Sequence, residues 1–337
     1  MRKKAFMALM VSLIIIGIFI LPSCQRKTDG GATPSGATGS EAGTTDSPEK
    51  SQGKIVVITT ILPLYDIARN VGGDIVEVKN LLPPGGSPHT YEPTVEDSRN
   101  IEDANVIFMV GLGLDTWMEK LTSAMGEKGK MKIFTLSDGV KILSQTEVEE
   151  IGTHSGEDSH NKEGAVNPHI WMDPMRMKKM AEDARDAYIS IRPDQKEIFE
   201  QNCKIYQAKL DGLDKLYSEE LSKFKKKDFI TFHAFLGYLS KRYGLNEVAV
   251  ISTSPGQEPD PRHIAEVIEI LKKYRVKIVF AEPQFSPREA EAIAREINGK
   301  VAIVDPIGAL DDPKRDTYVK NMKENLKAFT EAFSEEN

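Results

Sequence analysis

The chain of 337 residues contains only six histidines, so the position of each one is informative. Three of them lie beside predicted strand or helix ends: His89 in LLPPGGSPHTYEPT, His169 in VNPHIWMDP and His233 in FITFHAFLGY. Asp305 directly follows another predicted strand, in VAIVDPIG. Three neutral imidazoles and one carboxylate form a tetrahedral ligand set that suits Zn²⁺, so these four residues are the candidate metal ligands.

Each of these residues also has an ordinary structural explanation. A histidine at the end of a strand is more often a local hydrogen-bond partner than a metal ligand. An aspartate before proline is usually a turn residue. The long intervals between the four residues match no short zinc motif. Residue types and spacing therefore leave both explanations open.

Alternating strands and helices must position these side chains. Short β-branched runs predict eight strands, four on each side of a long helical region. Because this alternation is typical of parallel sheets covered on both faces, we predict an α/β fold with two lobes, each a four-stranded, mostly parallel sheet flanked by helices. The predicted strands are Lys54–Thr60, Ile75–Leu82, Asn105–Val110, Met131–Leu136, Asp228–Phe232, Val248–Thr253, Val276–Ala281 and Val301–Val304.

The region between the two sets of strands has only helical patterns. Its first part predicts one linker helix over residues 174–192, which Pro193 must interrupt. A second, charged amphipathic helix is expected from Asp194 to about Phe224. The linker would join a lobe at residues 54–173 to a lobe at residues 193–337. Since ligands of open parallel sheets bind beyond the carboxyl ends of the strands, the site is expected in the cleft between the lobes.

Two helix starts have strong sequence signals. Thr94 is a predicted N-cap with the acidic Asp97 three residues later. Ser286, Pro287 and Glu289 predict a capping box with proline in the first helical position.

The N-terminus predicts export and attachment to a membrane. The basic residues Arg2–Lys4 and the apolar stretch Ala5–Leu21 indicate a signal peptide over residues 1–23. The sequence Leu21–Cys24 resembles a bacterial lipobox, in which Cys24 becomes the first residue of the mature chain and carries the lipid. A retained anchor helix is the alternative. Residues 24–53 lack large apolar side chains and are expected to form a flexible tether, so in either case the body lies outside the cytoplasm.

Composition excludes several classes of protein. The 44 Lys and Arg residues against 51 Asp and Glu residues give a net charge of −7, which disfavours binding to nucleic acid or to an anionic membrane surface. Two cysteines are too few for a disulfide framework. A single long apolar run excludes a membrane protein with several spans.

A family resemblance rests on six segments that occur in order across the body from about Lys54 onward. They are PPGGSPHTYEPT, NPHIWMDP, TFHAFLGYLSKRYGL, GQEPDPRHIAEVIE, FAEPQFSP and VAIVDPIG. Together they resemble the metal-binding lipoproteins of bacterial ABC importers for zinc and manganese, the cluster A-I or cluster 9 solute-binding proteins.

The resemblance implies two α/β lobes bridged by one long, rigid helix, with a metal ion held between them. It puts His89, His169, His233 and Asp305 at the four ligand positions of the family. Manganese-type members commonly have glutamate at the third position, where this sequence has His233. An additional imidazole favours the softer ion, so Zn²⁺ is expected as the ligand rather than Mn²⁺.

The function implied is capture of zinc by a monomer that passes it to a cognate ABC permease driven by a cytoplasmic ATPase. An extracytoplasmic zinc hydrolase is the enzyme alternative, but no His-Glu-x-x-His pair is present. A cell-surface adhesin is a third alternative, but adhesion would give the four candidate ligands no function. Either the cell surface or a periplasm is compatible with the sequence.

Two features near the predicted site have open explanations. The acidic segment at residues 145–166 contains His154 and His160, which either collect zinc near the cleft or belong to a solvated insertion. Glu282 follows a predicted strand and either orients a ligand or pairs with a nearby cation.

Overall fold

The computed structural model describes residues 53–125, 131–144, 166–252, 256 and 260–335. The predicted signal peptide, Cys24, most of the tether, and both His154 and His160 lie outside these residues. None of the helices formed by the described residues is long and apolar enough to span a membrane.

The first lobe contains four parallel strands in the order β2-β1-β3-β4. Helices follow the strands because each parallel connection needs a crossover. The elements are β1 (Ile55–Thr59), α1 (Leu62–Gly72), β2 (Val76–Asn80), α2 (Val95–Glu102), β3 (Val106–Met109), α3 (Thr116–Met125) and β4 (Lys132–Thr135).

The second lobe repeats this arrangement with the strand order β6-β5-β7-β8, again all parallel. Its elements are β5 (Asp228–Thr231), α6 (Gly237–Tyr243), β6 (Asn246–Val250), α7 (Pro261–Tyr274), β7 (Ile278–Ala281), α8 (Arg288–Glu296), β8 (Lys300–Ile303) and α9 (Tyr318–Ser334). Two four-stranded parallel sheets flanked by helices confirm the predicted α/β fold.

All eight predicted strands are present, with ends within about two residues of the predicted positions for most of them. The exception is β6, which starts at Asn246 and ends at Val250 rather than running from Val248 to Thr253. A bulge between Phe229 and Ile230 shifts the β5–β6 register at this point, which the apolar run of β6 does not reveal.

Two long helices lie between the lobes in sequence: α4 (Pro174–Ile191) and α5 (Lys196–Leu221). The short helical turn Pro193–Gln195 separates them, as the proline predicts. The two helices pack on each other, and both contact α1 of the first lobe. Helix α5, which is roughly 39 Å long, also contacts α6 and α9 of the second lobe.

Buried tyrosines attach these helices to both lobes. The hydroxyl of Tyr206 on α5 donates to Asp66 Oδ2 of α1 at 2.8 Å. The hydroxyl of Tyr217, also on α5, donates to the carbonyl of Met322 of α9 at 2.5 Å. One helix therefore contacts both lobes through hydrogen bonds that are shielded from water, which favours a fixed arrangement of the lobes.

One apolar core connects the two sheets. It runs from Val57 and Phe108 on one face of the first sheet, across α4 and α5, to Phe229 and Phe280 on one face of the second. The opposite sheet faces pack on separate cores with α2 and α3 or with α7 and α8. Alternate strand residues point into different cores because side chains alternate across a strand.

One of the two predicted capping motifs is present. Thr94 and Asp97 form a reciprocal capping box at the start of α2, as predicted. At α8 the prediction is wrong, because the N-cap is Pro287 and makes no side-chain cap hydrogen bond. Ser286 instead accepts from the N–H of Arg288 at 3.4 Å, so the helix begins one residue later than the motif suggests.

Candidate metal centre

Three of the four predicted ligands converge on one point. His89, His169 and His233 each direct a ring nitrogen into a group whose ligand atoms all lie within 4.8 Å of one another. The Nε2 atoms of His89 and His169 are 3.0 Å apart, and those of His169 and His233 are 3.2 Å apart. A tetrahedral zinc ion with bonds to nitrogen of about 2.0–2.1 Å holds its nitrogen ligands roughly 3.4 Å apart, so the group is close to the size of a zinc site.

The hydrogen bonds on the opposite side of two rings determine which nitrogen carries the proton. His169 Nδ1 lies 2.8 Å from Asn167 Oδ1, and His233 Nδ1 contacts Glu282 Oε1. Both partners accept hydrogen bonds, so in the neutral rings each Nδ1 carries the proton and each Nε2 presents a lone pair. Two lone pairs facing each other at 3.2 Å cannot hydrogen-bond, but both can bind the same cation.

His169 is held from the second lobe, although it precedes the long helices in sequence. The side chain of Asn167, which orients its ring, donates through Nδ2 to the carbonyl of Ala234 at 2.9 Å. The hydroxyl of Tyr238 donates to the carbonyl of Asn167 at 2.9 Å. His169 is only 3% exposed, so these bonds fix the ring in a dry environment.

The segment after His169 is attached to the second lobe in the same way. The indole N–H of Trp171 donates to the carbonyl of Pro306 at 2.7 Å, and the hydroxyl of Tyr318 donates to the carbonyl of Trp171 at 2.6 Å. Residue Pro306 adjoins the candidate ligand Asp305. The positions of His169 and Asp305 are therefore coupled through buried hydrogen bonds.

His233 lies two residues after the end of β5 and is 3% exposed. Its partner Glu282 comes directly after the neighbouring strand β7 and is also buried. Of the two alternatives for Glu282, this contact supports the one in which the carboxylate orients a candidate ligand. A carboxylate that accepts the second N–H of a histidine is the usual partner of a metal-binding imidazole.

His89 is the one candidate ligand held by the first lobe. It lies in the long loop between β2 and α2, is half-buried, and its backbone N–H donates to Ser87 Oγ at 3.4 Å. The indole of Trp117 on α3 anchors this loop by donating to the carbonyl of Pro88 at 3.2 Å. The ring of Tyr91 packs against Trp117 with centroids 4.8 Å apart.

Asp305 follows β8 and is buried, but it does not belong to the group of atoms within 4.8 Å. Its Oδ1 accepts hydrogen bonds from the backbone N–H groups of Ile307 and Gly308, both at 3.0 Å. Burial raises the pKa of Glu282, the partner of His233, and the negative charge of Asp305 adds to this in the same direction. The structure thus brings the three histidines together and puts Asp305 on the side where Glu282 lies.

Burial keeps His89 and His169 in the form that binds metal. It lowers the pKa of His89 to about 3, with a further contribution from the charge of His233. It also lowers the pKa of His169 well below its ordinary value, and the charges of His233 and His89 act in the same direction. At neutral pH both rings are therefore unprotonated and available to a cation.

Several residues that build this centre were not identified in the sequence. Asn167 is the acceptor for His169, while Gln284, Asn321 and Asn325 hold the side chain or the peptide of Asp305. Only the segment NPHIWMDP hints at Asn167, because it is a polar residue two positions before a candidate ligand. The two asparagines on α9 have no local signal, since they approach Asp305 only in the folded chain.

Comparison with known families gives one match that covers most of the chain. Residues 57–332 match the family model described as "Zinc-uptake complex component A periplasmic".

Two curated relatives show how far the similarity extends. The high-affinity zinc uptake system protein ZnuA of Bacillus subtilis (strain 168) is 31% identical over 321 residues, which cover 94% of this chain and 97% of that protein. The zinc-binding lipoprotein AdcA of Streptococcus pneumoniae serotype 4 is 34% identical over 291 residues. The alignment to AdcA covers 86% of this chain but only 58% of the relative.

Solved structures have the same fold. A crystal structure of ZnuA superposes with a TM-score of 0.71 at 27% identity, covering 83% of this chain and 99% of that one. The Zn(II)-bound ZnuA-like domain of Streptococcus pneumoniae AdcA gives a TM-score of 0.67 at 31% identity, with coverage of 83% and 99%.

Proposed function

The chain belongs to the zinc-uptake complex component A family, as its six sequence segments predict, and from this premise we propose that it captures Zn²⁺ for import. It binds the ion outside the cytoplasmic membrane and delivers it to a cognate ABC permease driven by a cytoplasmic ATPase. The names of the zinc-uptake and zinc-binding relatives support this proposal.

The observation that carries the proposal is the pair of opposed lone pairs in the histidine group. His169 and His233 both use Nδ1 for a buried acceptor, and their Nε2 atoms face each other at 3.2 Å. A purely structural pair of histidines would place a donor opposite an acceptor. A shared cation is the simplest chemical reason for the arrangement.

In this proposal the zinc ion is bound by His89, His169, His233 and Asp305. The three imidazoles come from both lobes, and the carboxylate of Asp305 supplies the fourth ligand. Four protein ligands leave no open position for a reacting water molecule, which favours binding over catalysis. The ligand set has three nitrogen atoms and therefore favours Zn²⁺ over Mn²⁺, which suits sites richer in oxygen.

Attachment to the membrane is part of the same proposal. Acylation of Cys24 would tether the body through residues 24–53, leaving the metal centre in the space outside the cytoplasmic membrane. The protein acts as a monomer, because the ligands of one chain complete the site. The lipoprotein AdcA supports this arrangement by its name.

The decisive experiment is competitive metal binding to the chelator-treated full chain. Zn²⁺ and Mn²⁺ are titrated separately and against each other with the parent and with His233→Ala. We expect one tightly bound zinc ion per parent chain, preferred over manganese. In the variant the affinity for zinc should fall by more than the roughly 100-fold typical of losing an outer partner of a ligand.

His263 offers a matched control. It lies on α7, where its Nε2 donates to the carbonyl of Val250 at 2.9 Å, outside the histidine group. The variant His263→Ala should bind zinc as the parent does. Absence of stoichiometric zinc in the parent, or equal losses in both variants, would contradict the proposal.

A further inference from the structure

The two carboxylate oxygens of Asp305 have different surroundings. Oδ1 accepts three hydrogen bonds: from Gln284 Nε2 at 2.8 Å and from the backbone N–H groups of Ile307 and Gly308 at 3.0 Å each. Two of these donors belong to the backbone, and the third is a side chain that can be replaced. Among the described residues, none donates a hydrogen bond to Oδ2.

The backbone of Asp305 is held as firmly as its side chain. Its carbonyl accepts from Nδ2 of Asn321 at 2.8 Å and of Asn325 at 2.7 Å, and its N–H donates to Asn325 Oδ1 at 2.9 Å. Nη1 of Arg315 donates to Oδ1 of both asparagines, at 2.6 and 3.0 Å. The backbone of Asp305 is therefore fixed, and the three bonds to Oδ1 hold the carboxylate on it.

Gln284 is the one side chain in the described part of the chain that donates a hydrogen bond to Oδ1. Its own amide oxygen, Oε1, is buried without a hydrogen-bond partner in the described part of the chain. Turning the amide over would put Oε1 against the carboxylate, which repels another acceptor, so the donor must face Asp305. An unpaired buried acceptor is unfavourable. The glutamine therefore keeps its bond to Asp305 at the expense of its own hydrogen bonding.

We propose that Gln284 is a positioning residue that determines metal specificity, because its bond to Oδ1 helps to hold the carboxylate of Asp305 in an orientation that leaves only Oδ2 for the ion. The proposal rests on the zinc-binding function proposed above. With one oxygen from Asp305 and three imidazole nitrogens, the ion has four ligands, the number preferred by Zn²⁺. A carboxylate free to offer both oxygens would raise the coordination number and the oxygen content, which favours Mn²⁺.

The test uses the purified full chain with Gln284→Met, which retains the length of the side chain but lacks the N–H donor. Gln284→Ala is a second variant without the donor, and Gln201→Met on the exposed surface of α5 is the control. The readouts are the zinc-to-manganese affinity ratio and the visible d–d absorption of the Co²⁺-loaded protein. These bands are intense in tetrahedral sites and weak in sites with more ligands.

We expect both Gln284 variants to show weaker Co²⁺ bands and an affinity ratio lowered by roughly tenfold, the lower end of the effect of an outer partner. The control should keep the parent values. Parental spectra and ratios in both Gln284 variants would overturn the role of Gln284 while leaving zinc capture intact.

Two further results separate this inference from the proposed function. A parent chain that binds no zinc overturns the proposed function itself. A parent that binds zinc, with Asp305→Ala of unchanged affinity, overturns the ligand assignment of Asp305 and with it the role of Gln284, while zinc capture by the chain stands.

Discussion

The two lobes have the same sheet topology, yet they use the carboxyl ends of their central strands differently. In the first lobe Asp115, after β3, accepts from Thr60 Oγ1 at 2.8 Å and from the N–H groups of Val110 and Gly111 at 2.7 and 2.9 Å. In the second lobe the corresponding buried carboxylate, Glu282, contacts the ring of His233. One carboxylate closes a turn of its own lobe, while the other orients a candidate ligand.

This difference shows that a buried carboxylate at a strand end does not by itself identify a site. Both Asp115 and Glu282 have a pKa raised by burial, so their titration does not distinguish them. Their partners do: backbone N–H groups and a hydroxyl are satisfied locally, whereas an imidazole has a second nitrogen that remains free. That free nitrogen supplies the lone pair that the proposed metal site requires.

The edge strands differ in a similar way. Strands β2 and β6 occupy equivalent places beside β1 and β5. Glu77 on β2 is exposed, but Glu247 on β6 is buried and contacts Thr231 Oγ1. Burial raises the pKa of Glu247 to about 7, and the hydrogen bond from Thr231 only partly offsets this. The second lobe thus contains a group that titrates near neutral pH.

The largest expected effect is a loss of folding stability when Asp115 is replaced, which tests the local role of this carboxylate. The variant Asp115→Ala leaves two buried N–H groups and a hydroxyl without their acceptor, which should lower the free energy of unfolding by about 3 kcal/mol. Urea unfolding of the metal-free chain measures the loss. Zinc affinity, determined well below the denaturation midpoint, should stay within about threefold of the parent value.

A large loss of zinc affinity in Asp115→Ala would contradict the purely local role of Asp115, since it would give the two carboxylates the same role.

The second prediction concerns Glu282, where the effect should appear in binding. The variant Glu282→Gln retains the shape of the side chain but removes the charge that supports His233, so zinc affinity should fall about 10- to 100-fold. Competition with a zinc chelator measures the change. The matched variant Asp115→Asn should bind zinc as the parent does; indistinguishable affinities of parent and Glu282→Gln would refute the assigned role of Glu282.

The smallest expected effect is a pH dependence of stability from Glu247. Its pKa is raised in the folded state, so the folded chain holds a proton that the unfolded chain releases, and stability is present at low pH and lost as pH rises through about 7. Between pH 6 and pH 8 this group should cost about 1 kcal/mol. Unfolding of the metal-free chain at both pH values measures the loss, which Glu247→Gln should remove.

Glu77→Gln on the equivalent edge strand is the control for this experiment and should leave the pH profile unchanged. If Glu247→Gln has the same profile as the parent, the buried carboxyl does not titrate in this range and the contrast between the edge strands disappears.

Much of the fold and part of the site could be predicted from local patterns. The ends of every strand except β6 were predictable to within about two residues, because the β-branched runs and the helical patterns have different periodicities. His89, His169 and His233 were identified by their rarity and their positions near element ends. The start of α8 at Arg288 was not predicted. A capping pattern indicates that a helix can begin in a segment, but it does not determine the first helical residue.

The two parallel sheets and the long helices between them follow from the amino-acid sequence, because they depend on residue type and short-range spacing. The candidate ligands follow from the rarity of histidine and from positions near the ends of these elements. In contrast, contacts in the folded chain were needed to show that Asn167 ties His169 to the second lobe and that Gln284 donates to one oxygen of Asp305. Such partners lie far apart along the chain, and hydrogen bonds between them form only when packing brings donor and acceptor within about 3 Å of each other.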